Sequence, residues 1–132
     1  MVDEQQTSND NLLFPILRGE SVAEGGSIDG EVVIICKAAD LNREWNSREI
    51  AVLDSALQEH LEINPGVVDE LFGKVSAAIC EFGEIMGELA SFAVIRGAIC
   101  IIRVDDATDV LENGMHIRVV AHESRGDIYF ID

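Results

Sequence analysis

The chain has 132 residues, the usual length of one domain, and 48% of them are apolar, which suits a packed core and not a disordered chain. Acidic side chains outnumber basic ones by 25 to 9, giving a formal net charge of −16. This balance excludes the basic patches that bind nucleic acid or an anionic membrane. No apolar run approaches the roughly 18 residues of a membrane span and no signal peptide is visible, so we expect a cytoplasmic protein.

Taken in chain order, residues 1–11 have almost no apolar content and predict a flexible acidic tail, followed by a single domain over residues 12–132. Leu12 to Leu17 indicates a first strand or an extended docking segment, and Pro15 argues against a central strand there. Four glycines between residues 18 and 30 predict tight turns. The β-branched apolar run from Glu31 to Cys36 then predicts a buried strand.

Residues 37–46 predict a loop that contains the only tryptophan, Trp45. Beyond it, Ser47 is a suitable N-cap, and four apolar residues recur at helical spacing: Ile50, Leu53, Leu57 and Leu61. The pattern predicts an amphipathic helix of about four turns, ended by Asn64-Pro65-Gly66. Its apolar stripe either covers the domain's own core or offers a surface to a partner. A shorter helix is predicted over Val67 to Phe72.

The centre of the chain predicts a strand, a turn, a helix and a second strand. Val75 to Cys80 is a short apolar run, a helical spacing of apolar residues follows, Gly97 suits the helix C-cap, and Ala98 to Ile102 is a second apolar run. Such a βαβ unit places its two strands parallel. Chemistry in these units tends to lie at the strand-to-helix turn. The candidate turn site therefore comprises Glu81, Gly83, Glu84, Gly87 and Glu88.

The C-terminal third predicts one helical turn within residues 105–114, then a half-buried strand from Met115 to Ala121 and a last strand from Asp127 to Ile131. The last two strands are expected to form a hairpin. Together, the predicted elements indicate a mixed α/β domain with about six short strands.

Cysteine and histidine usage indicates no metal site. Cys36, Cys80 and Cys100 each end or lie within an apolar run, and their odd number without paired spacing predicts buried thiols in a reducing compartment. The three histidines, His60, His116 and His122, fit structural roles better than ligand or catalytic ones.

Three stretches in order resemble the swivelling phosphohistidine domain of the phosphoenolpyruvate-utilising enzymes. The first, residues 17–34, contains several glycines and leads into the first core strand. The second, residues 78–93, is a strand followed by an acidic turn and a helix. The third, residues 96–120, begins with a helix-capping glycine and continues as a strand, a short turn and a second strand. The resemblance covers about Leu17 to Ile131 and implies a swivelling three-layer β/β/α domain. Residues 40–63 have no counterpart and so form a helical insertion.

The resemblance fails at the residue that matters most for the family's chemistry. The family's helix opens with a small hydroxyl or thiol residue, another small residue and the phosphorylated histidine, and those positions here are Met86, Gly87 and Glu88. Phosphoryl transfer through histidine needs an imidazole nitrogen as nucleophile. With Glu88 at the phosphohistidine position, the resemblance implies a non-phosphorylatable relative without a catalytic residue of its own, acting as a binding or regulatory module.

Two alternatives stay open at this point. One is enzymatic: the mobile subunit of a split phosphotransfer enzyme, or a small enzyme on the same fold. The other is that the likeness is only architectural and the role unrelated. No cofactor is assigned, although Glu81, Glu84 and Glu88, at i, i+3 and i+7, would suit a divalent cation as well as a solvated helix start. We expect a protein partner or self-association, and neither nucleic acid nor membrane.

Overall fold

The computed structural model describes residues 14–22, 25–82 and 86–131, without the side chains of residues 86–90, so the predicted acidic tail at 1–11 lies outside the described residues. Seven strands are described: β1 (Leu17–Ser21), β2 (Gly26–Ile35), β3 (Glu49–Leu53), β4 (Ala77–Cys80), β5 (Ile99–Ile102), β6 (His116–Ala121) and β7 (Gly126–Phe130). Four short helices join them: α1 (Gln58–Ile63), α2 (Pro65–Phe72), α3 (Met86–Arg96) and α4 (Ala107–Val110). Two 3₁₀ turns, Ala38–Asn42 and Ser55–Leu57, complete the described elements.

The strands close into a barrel in the order β1-β5-β4-β3-β2-β6-β7. Strands β2, β3, β4 and β5 run parallel to one another, and every pair that includes β1, β6 or β7 is antiparallel. Parallel neighbours need a crossover connection, and α1–α2 joins β3 to β4 while α3 joins β4 to β5. The chain is thus mixed α/β, as predicted, and all the parallel strands end at one end of the barrel. We call this the carboxyl end.

The barrel wall separates two hydrophobic cores. One fills the barrel interior and includes Ile50, Ile79 and Ile101; the other lies between the wall and the helices and includes Leu53, Leu71 and Cys100. Because side chains alternate along a strand, β3, β4 and β5 contribute to both cores, and nearly all of their residues are buried. Their uninterrupted apolar runs follow from this two-sided burial.

Close strand contacts require glycine on both strands where β1 pairs with β7. A Cβ atom on Gly126 would overlap the Ile101 side chain, and one on Gly19 would lie 2.5 Å from the Ile102 carbonyl oxygen. The two glycines face each other across the β1–β7 pair. Small residues here allow β1 and β7 to pass over β5 and complete the barrel.

The central βαβ prediction is confirmed. Strands β4 and β5 are parallel neighbours joined by α3, and Gly97 has a φ of +69°, the left-handed conformation of a helix C-cap. The predicted second helix corresponds to α2, and the C-terminal hairpin to β6 and β7. The first strand, β1, begins where the predicted segment ends, at Leu17.

The predicted amphipathic helix from Ser47 to Leu61 is wrong over its first half. Residues 49–53 form β3, a parallel strand between β2 and β4, and helical structure begins only at Ser55. Ile50 and Leu53 match a helical spacing by coincidence, since a strand buried on both faces is apolar at every position. The segment 40–63 therefore contains a barrel strand as well as helix, and this strand is the one missing from the predicted six.

Cysteine burial was predicted correctly for two of the three thiols. Cys80 and Cys100 are buried, whereas Cys36 is exposed because β2 ends at Ile35 and the chain emerges at the carboxyl end. Among the described residues, no helix is both long and apolar enough to cross a bilayer.

Candidate functional site

Carboxylates gather at the carboxyl end of the barrel. Asp54 directly follows β3, Glu81 directly follows β4, and Asp105 and Asp106 follow β5 and lead into α4. Parallel strands end at one edge of a sheet, which is where open α/β folds hold their ligands. An open cavity of about 590 Å³ lies there, which we call the acidic cavity; it is lined by Asp54, Ser55, Glu81, Asp105, Asp106, Thr108 and Asp109.

Glu81 links three segments of the chain. Its Oε1 accepts a hydrogen bond from the Ser55 backbone N–H at 2.9 Å, and its Oε2 accepts from both the backbone N–H and the hydroxyl of Thr108, at 2.9 and 2.8 Å. The donors are distant in sequence, so the carboxylate joins the end of β4 to the 3₁₀ turn after β3 and to α4. Hydrogen bonds to a charged acceptor are stronger than neutral ones, and Glu81 therefore holds the wall of the cavity together.

Asp54 extends this network. Its Oδ1 accepts from the Ala56 backbone N–H at 2.8 Å and caps the 3₁₀ turn. Its Oδ2 lies 3.2 Å from the Thr108 hydroxyl and 3.7 Å from the Cys36 sulfur. Partial desolvation, followed by the Asp54 charge, raises the pKa of the Cys36 thiol. Because the thiolate is the reactive form of cysteine, this environment disfavours thiol chemistry.

The outer carboxylates of the cavity face solvent. Asp105, Asp106 and Asp109 are exposed, and between the described residues no ion pair involves these three side chains, Asp54 or Glu81. Arg103, which precedes them, contacts Glu20 at 3.4 Å. The carboxyl end is thus a concentrated negative surface.

Exposed apolar side chains lie beside this negative surface. Since β1 is antiparallel to β5, the residues before Leu17 run past the carboxyl end of β5. Val110 lies on α4, next to the cavity. We call Phe14, Ile16 and Val110 the apolar rim; their exposed fractions are 79%, 39% and 41%.

A second hollow adjoins the acidic cavity. It has a volume of about 510 Å³ and is lined by Phe14, Pro15, Ile16, Leu17, Arg18, Arg103 and Asp105. Asp105 lines both spaces. We call this second space the apolar hollow after its wall of residues 14–17; its two arginines, Arg18 and Arg103, contact Asp127 and Glu20. The apolar hollow and the acidic cavity form one continuous surface at the carboxyl end.

The predicted turn site is described only in part. Glu81 lies at the turn after β4, as predicted, but Gly83 and Glu84 fall outside the described residues. Gly87 and Glu88 lie in the first turn of α3, and their side chains also fall outside the description. The structure brings Glu81 together with Asp54 and Thr108, which the sequence reasoning missed.

A signal for the missed residues was present in the sequence. Asp54 follows an apolar run in the same way that Glu81 does, and it would have been found had β3 been recognised as a strand. Thr108, 27 positions from Glu81, had no such signal.

The histidines lie outside the acidic cavity. His116 contacts Glu31 at 3.0 Å, and His122 contacts Asp127 at 3.2 Å. Asp127 is only 2% exposed and also meets Arg18 and Arg125. These contacts join neighbouring strands and turns of the barrel. Within the described ranges, no group of three or more His, Cys, Asp or Glu side chains is arranged to hold a metal ion.

Comparison with known proteins identifies the fold. No family model and no curated protein matches the sequence. The crystal structure of Thermococcus kodakaraensis aconitase X in its holo-form is similar, with 22% identity, 85% of this chain and 96% of that chain covered, and a TM-score of 0.56. The solution NMR structure of a UPF0107 protein is similar with 13% identity, coverages of 86% and 97%, and a TM-score of 0.58. Likenesses at these identities define a shared fold.

The predicted relationship to the phosphohistidine domain is wrong, since the similar structures are aconitase X and a UPF0107 protein. The matching residues were backbone requirements that carry no chemistry: Gly97 and Gly114 both have positive φ angles. Strand, turn, helix and strand follow one another in any βαβ unit. The function predicted from that relationship is therefore also wrong: the chain is not shown to be a non-phosphorylatable relative of the phosphoenolpyruvate-utilising mobile domain.

Proposed function

We propose that this chain is a protein-binding domain that docks through the carboxyl end of its barrel onto another protein chain. The observation that carries the proposal is the apolar rim. Seven large apolar side chains are exposed among the described residues, and three of them lie beside the acidic cavity: Phe14 and Ile16 line the adjoining hollow, and Val110 follows Asp109. Exposed apolar groups gathered in one place, next to polar ones, are typical of interaction surfaces.

The chemistry of the acidic cavity favours binding over catalysis. Both oxygens of Glu81 already accept hydrogen bonds from the chain itself, and Asp54 caps a turn. The raised pKa of the Cys36 thiol makes it a weak nucleophile at neutral pH. A general base needs free access to a substrate proton, and the two inner carboxylates are instead committed to holding strand ends.

The fold comparison supports an enzyme as the partner. This protein matches 96% of the length of a chain in the crystal structure of the enzyme aconitase X. We propose that residues 12–132 act as one domain beside another protein chain. The predicted three-layer β/β/α arrangement is part of this proposal, because two cores on either side of β3, β4 and β5 would divide the molecule into two sheets and a helical layer.

The test compares two matched variants of the full chain, each tagged and recovered from its own cells for native mass spectrometry. Phe14→Ser/Ile16→Ser alters the apolar rim. Val94→Ser/Ile95→Ser alters two side chains of α3 that are exposed to a similar degree, 53% and 73%. We expect the unaltered chain and the α3 variant to carry a second protein chain, and the rim variant to lose it. A bare monomer in all three samples, or a rim variant that keeps its partner, would refute the proposal.

A further inference from the structure

We infer that the occupant of the carboxyl end is a basic segment of a different protein, in which arginine or lysine side chains alternate with apolar ones, and not a second copy of this chain. The inference rests on the proposed docking function and names the chemistry of its partner. It is carried by the apolar hollow and by charge complementarity at its border.

The apolar hollow supplies the anchoring contact. Phe14 and Ile16 form its exposed apolar wall, and Leu17 lies deeper. An apolar side chain of the partner seated against them would be removed from water, which contributes about 25 cal/mol for each Å² buried. Because Asp105 lines both spaces, the residues next to that anchor would lie over the acidic cavity.

The negative charge of the adjoining cavity favours basic residues in the partner, next to the apolar side chain that sits in the hollow. Five of its seven lining residues are carboxylates and none is basic. In the described part of the chain, no hydrogen bond reaches the side-chain oxygens of Asp105, Asp106 or Asp109, so their lone pairs face water. A guanidinium or ammonium group satisfies such oxygens, and the guanidinium does so in a bidentate manner. Neighbouring residues in an extended segment point to opposite sides, so alternate positions would meet the hollow and the cavity.

The same charges argue against self-association through this face. Two copies docked carboxyl end to carboxyl end would oppose five carboxylates with five others, on chains that each carry a net charge of −16. Like charges placed across an interface oppose binding strongly. A basic partner would instead be drawn to this end by the field of the whole molecule.

The direct test measures binding of a short fluorescein-labelled peptide that alternates arginine with leucine, by fluorescence anisotropy with the full chain. Asp105→Asn/Asp106→Asn/Asp109→Asn removes three charges from the acidic cavity. The substitution suits the backbone, because Asp106 has a φ of +65° and asparagine tolerates that conformation. The matched control removes three exposed charges elsewhere: Glu44→Gln/Glu70→Gln/Glu123→Gln.

We expect the cavity variant to bind the peptide about tenfold more weakly than the unaltered chain, and the control variant to differ by less than about twofold, since remote exposed charges contribute little. Raising the salt from about 0.05 to about 0.3 M should weaken the binding, and peptides with glutamate for arginine or serine for leucine should bind poorly. Equal weakening by the two triple variants would mean diffuse attraction to an acidic protein and would overturn the inference.

The native complex separates failure of this inference from failure of the docking function. If the complex requires Phe14 and Ile16 but survives the cavity variant, docking stands and the basic partner is refuted. A second chain that proves to be another copy of this one also refutes the basic partner and leaves docking in place. If no complex depends on Phe14 and Ile16, both proposals fail together.

Discussion

Glu81→Gln is the sharpest test of how the acidic cavity is built. The substitution keeps the shape of the side chain but leaves one oxygen where there were two. Its NH₂ group must then face either the Ser55 N–H or the Thr108 N–H, which places a donor against a donor. Glu81 now accepts three hydrogen bonds, and a hydrogen bond to a charged group is worth about 1.5–3 kcal/mol. Because Glu81 is half-buried, water can replace part of the lost hydrogen bonding. We therefore expect the free energy of unfolding to fall by about 2–4 kcal/mol.

Urea unfolding followed by the fluorescence of Trp45 and by circular dichroism measures this loss. Glu59→Gln, an exposed carboxylate on α1, is the matched control and should change stability by less than about 0.5 kcal/mol. Thr108→Val removes only the hydroxyl donor and should cost about 1 kcal/mol. If Glu81→Gln were no more destabilising than the control, the carboxylate would not hold the strand ends together and the account of the cavity wall would be wrong.

Three further predictions concern other carboxylates and the exposed thiol. Asp127→Asn should lower the free energy of unfolding by about 2–4 kcal/mol, because it neutralises a carboxylate that is 2% exposed among cationic side chains, and an unchanged urea midpoint would contradict this. The hydrogen bond from Arg118 lowers the pKa of Asp29, so its contribution to stability is complete above the unfolded pKa and disappears as the pH falls through the folded one. The stability difference between the unaltered chain and Asp29→Asn should therefore shrink below a pH of about 4, and a constant difference would rule this out. Cys36 should react slowly with iodoacetamide near pH 8, and faster in Asp54→Asn; equal rates in the two proteins would show that the Asp54 charge does not act on the thiol.

Local signals in the sequence were sufficient for the elements that have an unambiguous pattern. Strands β4 and β5 are apolar runs bounded by turns, and Gly97 marks a helix end by the one conformation that favours glycine. Strand β3 lacked such a signal, because its residues are buried on both faces and its spacing also fits a helix. The predicted mixed α/β class was therefore confirmed, while one central strand was assigned to the wrong structure.

Barrel closure and most of the acidic cavity depend on contacts between distant residues. Nothing near Gly19 or Gly126 in the sequence indicates that these positions face each other. Glu81 was found because it follows a recognisable strand, whereas Asp54 and Asp105 join it only once β3, β4 and β5 are known to be parallel neighbours. The family resemblance failed for a related reason: it matched the turns that the backbone requires, and turns do not specify chemistry.

The strands of the barrel that are buried on both sides should open locally less often than the other strands. Strands β3, β4 and β5 are covered by both cores, whereas β1 and β6 alternate between buried and exposed positions. Amide hydrogens in the first group should exchange with solvent most slowly, because freeing them requires the helices and the barrel interior to separate together. Asp54 and Glu81 are the residues that follow two of these strands. Glu81 also bonds to Thr108 of α4, so the outer carboxylates beside Thr108 are tied to the least mobile part of the molecule. Docking would then need little ordering of the surface that it uses.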